Sequence, residues 1–204
     1  MTTEHSSSLR AFVAIELPPE VRAWCQAAIE QARRKLGSSA SAVRWVDPAA
    51  IHLTLTFLGA VAITRVPVLI ERLGAELANQ APFRLEIGGL GVFPGPRSPR
   101  VVWLAVLGDL TALGACQRRV EAATVPLGFP AETRPFKPHL TLGRVRETAT
   151  SEQRAAIGAL PANWPLTVSR SFSVDSVSLM QSHLGPGGAR YPRLAEIRFG
   201  TAPR

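Results

Sequence analysis

The sequence predicts an α+β fold, bilobal, in which two pseudo-symmetric lobes line a central cleft with mostly antiparallel sheets and helices pack outside. Three observations predict it. Segments with the two-residue period of strands interleave with segments carrying the three-and-four spacing of helices, and short turns between strands allow hairpins. The string His52-Leu53-Thr54-Leu55 returns as His139-Leu140-Thr141-Leu142, 87 positions later. Each copy is preceded by an arginine, an aromatic and a proline (Arg44-Trp45 with Pro48; Arg134 with Pro135-Phe136) and followed by a helix signal, the mark of an internal duplication. Residues 1–204 are read as one bilobal domain.

Taken in order, Arg10 to Leu17 alternates as a strand, with Ala11, Val13, Ile15 and Leu17 on one face and Arg10, Phe12, Ala14 and Glu16 on the other. Pro18-Pro19 opens a helix whose apolar stripe is Val21, Trp24, Cys25, Ala28, Ile29, Ala32 and Leu36, with Gly37 as its stop. Val43 to Val46 is a short strand broken by Asp47-Pro48, and Ile51 to Leu58 is a strand that Gly59 ends. Pro67 to Asn79 is a helix, and Phe83 to Ile87 a strand. Gly88 to Arg100, rich in Gly, Pro and Arg, reads as an exposed loop or edge segment. Val101 to Val106 is an apolar strand. Asp109 caps a helix running to about Thr124. The second signature strand starts at His139. Thr150 with Gln153 forms a capping box for a helix ending near Leu160. Leu166 to Met180 reads as one long strand with a bulge near Asp175-Ser176, where its apolar parity switches. Gly185 to Gly188 is a turn, and Tyr191 to Phe199 the last strand.

The chain has 204 residues, 46% of them hydrophobic, enough for a real core. No apolar run reaches the length of a membrane span, and Met1 to Ser8 has no signal-peptide core, so a cytoplasmic protein without a membrane role is expected. Cys25 and Cys116 fall on the apolar sides of helices and read as buried thiols rather than a disulfide or metal site. The net charge is +8, and Lys35 and Lys137 are the only lysines. Such an arginine-rich surface favours anionic partners, RNA first among them.

Within each repeated tetrapeptide, His and Thr share one strand face and the two Leu the other. The leucines enter a core while His52, Thr54, His139 and Thr141 line a surface. Two such strands facing each other place two imidazoles and two hydroxyls around one cleft, equipment for moving protons about a phosphate. Threonine hydroxyls donate to non-bridging oxygens, where charge builds in the transition state. Arg144 closes the second motif, but strict alternation turns it away from His139 unless a twist or bulge intervenes. Phe12, Trp45 and Tyr191 are candidates for stacking on a base, and Arg97 and Arg100 for holding an RNA backbone. His5 and His183 read as bystanders. A zinc site is the rival enzyme reading, and it lacks a third ligand near either motif. An RNA-binding module without turnover is the rival from another class.

The sequence resembles the 2H phosphoesterase superfamily, defined by two His-x-Thr/Ser-x motifs, and within it the RNA 2′,3′-cyclic phosphodiesterases, also called 2′-5′ RNA ligases. Matching stretches are RAFVAI (10–15) with Pro18-Pro19, RWVDPAAIHLTLTFLGAV (44–61), PRVVWL (99–104), FKPHLTLGRV (136–145) and Tyr191-Pro192-Arg193-Leu194. The resemblance implies lobes related by a pseudo-twofold axis. It also implies metal-independent, cofactor-free opening of an RNA 2′,3′-cyclic phosphate to a 2′-phosphate, with His52 as proton donor and His139 as proton acceptor. Thr54, Thr141, Arg144, Phe12 and Tyr191 are then the expected substrate contacts. RNA with a cyclic phosphate end is the expected partner of a monomer that needs no other protein. Ligation through a 2′-5′ bond is the same reaction run backwards.

Overall fold

The computed structural model describes residues 8–164, 170–185 and 188–200. Strand β1 (Ser8–Glu16) leads into helix α1 (Pro19–Leu36), whose buried stripe is the expected one except that Trp24 is only half-buried. A 3-10 turn (Gly37–Ala42) precedes the short β2 (Val43–Trp45). Asp47 caps a second turn, Pro48–Ala50, by accepting from the Ala49 amide. Then come β3 (His52–Ala62), α2 (Val66–Leu77), β4 (Phe83–Phe93) and β5 (Val101–Gly108). The second half holds α3 (Leu110–Thr124), β6 (His139–Val145), α4 (Ser151–Ala159), β7 (Arg170–Val174) and β8 (Ser176–Gln181). A small hairpin, β9 (His183–Gly185) with β10 (Gly188–Arg190), precedes β11 (Arg193–Arg198). Asp109 caps α3, and Thr150 with Gln153 makes both bonds of a capping box on α4.

The strands form two antiparallel sheets, one ordered β11-β8-β1-β3 and the other β2-β6-β5-β4-β7. With β2 and β7 set aside, two units share one order: β1-α1-β3-α2-β4, then β5-α3-β6-α4-β8. Each unit contributes its first two strands to one sheet and its third strand to the other. Thus β8 lies beside β1, and β4 lies beside β5. One continuous apolar core joins the inner faces of both sheets to the helices, and it includes Leu53, Leu55, Leu140 and Leu142.

Three expectations change. Gly59 does not end β3. It takes a positive φ (69°) as the strand runs on to Ala62. The segment after Ile87 is strand rather than loop, and only residues 94–100 turn back. Gly91 leaves room for the Trp103 ring of β5, which lies across β4: a Cβ there would come within 2.1 Å of that ring, while Gly89 takes a positive φ (59°) at a register shift. The long strand ending at Met180 is two strands. At Asp175 the chain leaves one sheet for the other, and the parity switch read as a bulge marks that crossing. Residues 165–169, His5 and the tip of the turn at 186–187 lie outside the described residues.

Candidate active site

β3 and β6 face each other across a cleft of about 310 Å³ lined by His52, Thr54, His139 and Thr141. Both imidazoles are held in the same way. His52 Nδ1 lies 2.8 Å from the Ala50 carbonyl oxygen, and His139 Nδ1 lies 2.7 Å from that of Lys137, each two residues back. A carbonyl oxygen only accepts, so each Nδ1 carries the hydrogen and each Nε2 is left for chemistry. The turn at Pro48–Ala50 and the proline before His139 put those carbonyls in place.

The leucines do more than fill the core. In β3, Thr54 pairs with Ala14 and Thr56 with Val13, which leaves Leu55 without a partner. In β6, Thr141 pairs with Trp103 and Gly143 with Val102, which leaves Leu142 without one. Each is a bulge at the fourth residue of the motif, and a bulge reverses the alternation beyond it. The residue five after each histidine therefore returns to the cleft: Phe57 in one lobe, Arg144 in the other. The bulge that Arg144 required is present. Phe57 is 67% exposed, a bare aromatic face at the mouth of the cleft. It was missed because strict alternation turns it away from His52, and nothing in the sequence marks the bulge.

The two imidazoles sit in different surroundings. Phe12 stacks on His52 at 4.6 Å between ring centroids, and Tyr191 meets both rings edge-on, at 4.9 Å from His52 and 5.2 Å from Phe12. Burial among them holds the His52 pKa below its ordinary 6.5; the bond to Ala50 and the charge of Glu16 push the other way. Glu16 is the β1 partner of His52, accepts from Ser178 and lies 3.4 Å from Arg193. His139 has Phe93 edge-on at 5.0 Å, with Trp103 stacked on Phe93 at 4.7 Å.

Of the expected contacts, Thr54, Thr141, Arg144 and Tyr191 line the cleft. Phe12 lines it as well but is only 2% exposed, so its ring supports His52 instead of offering a face to a base. Trp45 points away: its Nε1 donates to the Ala40 carbonyl, and Arg33 lies over its ring in a groove against α1. That groove, about 710 Å³, is wider than the cleft but holds no histidine or cysteine. Arg97 borders α4, and neither it nor Arg100 reaches the cleft. His183 is exposed on β9, also outside the cleft lining. Both cysteines are buried, their thiols pushed up to about 12. Among the described residues no group of three or more His, Cys, Asp or Glu is placed to hold a metal ion, and no helix is long and apolar enough to cross a membrane.

Two histidines, two threonines and an arginine line one cleft, a set of residue types suited to phosphoester chemistry. The comparisons agree. Residues 17–186 match the family model of the 2′-5′ RNA ligase superfamily. The chain is 33% identical over 191 residues to the RNA 2′,3′-cyclic phosphodiesterase of Methanothermobacter thermautotrophicus, covering 94% of this chain and 99% of that one. It is 34% identical over 173 residues to the protein of that name from Geobacillus stearothermophilus, of whose length the match covers only 52%. Its fold superposes on Escherichia coli LigT complexed with 3′-AMP with a TM-score of 0.73 at 29% identity, covering 95% of this chain and 99% of that one. The protein belongs to the 2′-5′ RNA ligase superfamily.

Proposed function

We propose that the protein opens RNA 2′,3′-cyclic phosphodiester ends to 2′-phosphomonoesters by two-histidine acid–base catalysis that needs no metal. The observation that carries this is the matched pair of Nδ1–H bonds, which leaves the Nε2 of each of two cleft-lining histidines free for proton transfer. His139 Nε2 takes a proton from water as its oxygen bonds to phosphorus. The bond from phosphorus to O3′ breaks, and His52 Nε2–H protonates that oxygen. Thr54 and Thr141 donate to the non-bridging oxygens, and Arg144 offsets their charge.

The lobes differ where Phe57 answers Arg144, and this supports the roles. A base stacked on Phe57 keeps its ribose on the His52 side, so the departing ribose oxygen faces His52. The phosphate oxygens then face Arg144 and the His139 side. Burial disfavours the charged form of His52, which is unfavourable for an acid. The negative charge of bound phosphate, with Glu16 behind the ring, restores its proton. Relatives named RNA 2′,3′-cyclic phosphodiesterase and a LigT structure with 3′-AMP favour a ribonucleotide substrate. Among the described residues, the cleft lining holds no carboxylate or thiolate to complete a metal's ligand set.

The test is an oligoribonucleotide ending in 2′,3′-cyclic phosphate, with and without excess chelator. A 2′-phosphate product in both conditions is expected; a 3′-phosphate, or loss that zinc restores, overturns the mechanism. His52→Ala and His139→Ala should each abolish turnover while RNA binding falls little. Adding a second RNA with a 5′-hydroxyl tests 2′-5′ joining, in which that hydroxyl replaces water as the oxygen bonding to phosphorus while the P–O3′ bond breaks, with water as the favoured competitor.

A further inference from the structure

Arg44 lies in β2, the edge strand beside β6, and is the direct cross-strand partner of Arg144. Direct partners in an antiparallel pair share a face. The neighbours Val43 and Trp45 point the opposite way, since a Cβ on Gly143, the partner of Trp45, would strike both of their side chains. Arg44 and Arg144 therefore stand side by side on the cleft side of the sheet, both exposed.

Like charges directly opposite each other destabilise a sheet. Among the described residues four arginines are paired with carboxylates: Arg22 and Arg193 with Glu16, Arg134 with Glu132, and Arg198 with Glu196. Among the described residues no ion pair involves Arg44 or Arg144. A pair of guanidiniums becomes favourable when anions lie against them.

Arg144 is within the cleft and Arg44 is one strand farther out, about 5 Å away at the usual strand spacing. Resting on the cyclic-phosphate function above, we propose that Arg44 holds the phosphodiester on the 5′ side of the terminal nucleotide, so that the enzyme selects an RNA end over a free 2′,3′-cyclic mononucleotide. Arg144 holds the reacting phosphate and Arg44 the one before it. The pair thus measures two successive phosphates of a single strand.

The experiment compares kcat/KM for 2′,3′-cyclic AMP with that for a diribonucleotide ending in 2′,3′-cyclic phosphate, in the unaltered protein, Arg44→Ala and Arg44→Lys. For Arg44→Ala the dinucleotide value should fall roughly tenfold, mainly through KM, and the mononucleotide value by less than about twofold. Arg44→Lys should recover part of the loss, because it keeps the charge without the fork. The slope of log affinity against log salt for a longer oligonucleotide should flatten by roughly 0.7 in Arg44→Ala, one single-strand phosphate contact fewer. The thermal midpoint of Arg44→Ala at low salt should equal or exceed that of the unaltered protein, since a repulsion has been removed. Equal losses on both substrates would place Arg44 at the reacting phosphate and overturn the proposal. So would no loss on either. If the unaltered protein turns over neither substrate, it is the cyclic-phosphate function itself that fails.

Discussion

At the scale of single residues, the site depends on what surrounds two chemically identical imidazoles. His52 is packed by Phe12 and Tyr191 and backed by Glu16. In the proposed mechanism His52 acts as the acid and must carry a proton, so kcat/KM falls as pH rises through its pKa in the free enzyme, which burial holds below 6.5. Bound phosphate favours the proton, so the same limb in kcat should lie at higher pH. Parallel pH profiles of the two constants check this; coincident limbs would refute it. Glu16→Gln removes a charge that raises the His52 pKa, and the kcat/KM limb should move to lower pH. Phe12→Leu keeps most of the volume and should cost about 1 kcal/mol of stability. Opening His52 to water should move that limb the other way, to higher pH.

At the scale of elements, the bulges at Leu55 and Leu142 decide which side chains reach the substrate. Both are possible because Leu55 and Leu142 remain anchored in the core while the ladder skips them. Gly91 has a comparable structural duty, giving room to the Trp103 ring that stacks on Phe93 beside His139. Gly91→Ala should destabilise by about 1 to 3 kcal/mol, measured by urea unfolding, and lower kcat as the aromatic wall at His139 shifts. A neutral result would mean that the ring relocates freely. Much of this was legible in the sequence. The stripe from Val21 to Leu36, the cap at Asp109, the box at Thr150 and the His–Thr faces all follow from local periodicity and local hydrogen bonds, which a single chain displays. What was not legible is non-local. Phe57 entered the cleft through a bulge set by pairing with β1. Gly88 to Phe93 is strand through its pairing with β5, where the Trp103 ring occupies the space that Gly91 leaves. The segment ending at Met180 divided because two sheets compete for it. Phe12 was correctly assigned to the Glu16 face, yet contact with His52, invisible in the sequence, turned it from a base platform into a support.

At the scale of the whole molecule, the exchange of third strands makes each sheet incomplete without the other unit. One core runs through both, so urea should unfold the protein in a single transition seen alike by tryptophan fluorescence and far-ultraviolet circular dichroism. Two separated transitions would mean that the lobes fold independently. Severing the exposed link between Arg97 and Ser98 should leave the halves associated, and halves made separately should regain turnover only on mixing. The exchange also suggests an origin. Two copies of one short chain, each lending a strand to its twin, would already enclose a pair of imidazoles in a symmetric dimer. Fusing the two genes end to end would let the copies diverge, so that matching places now hold a benzyl ring in one and a guanidinium in the other. An ancestral-type half, built from either repeat and tested for self-association, puts that history within experimental reach.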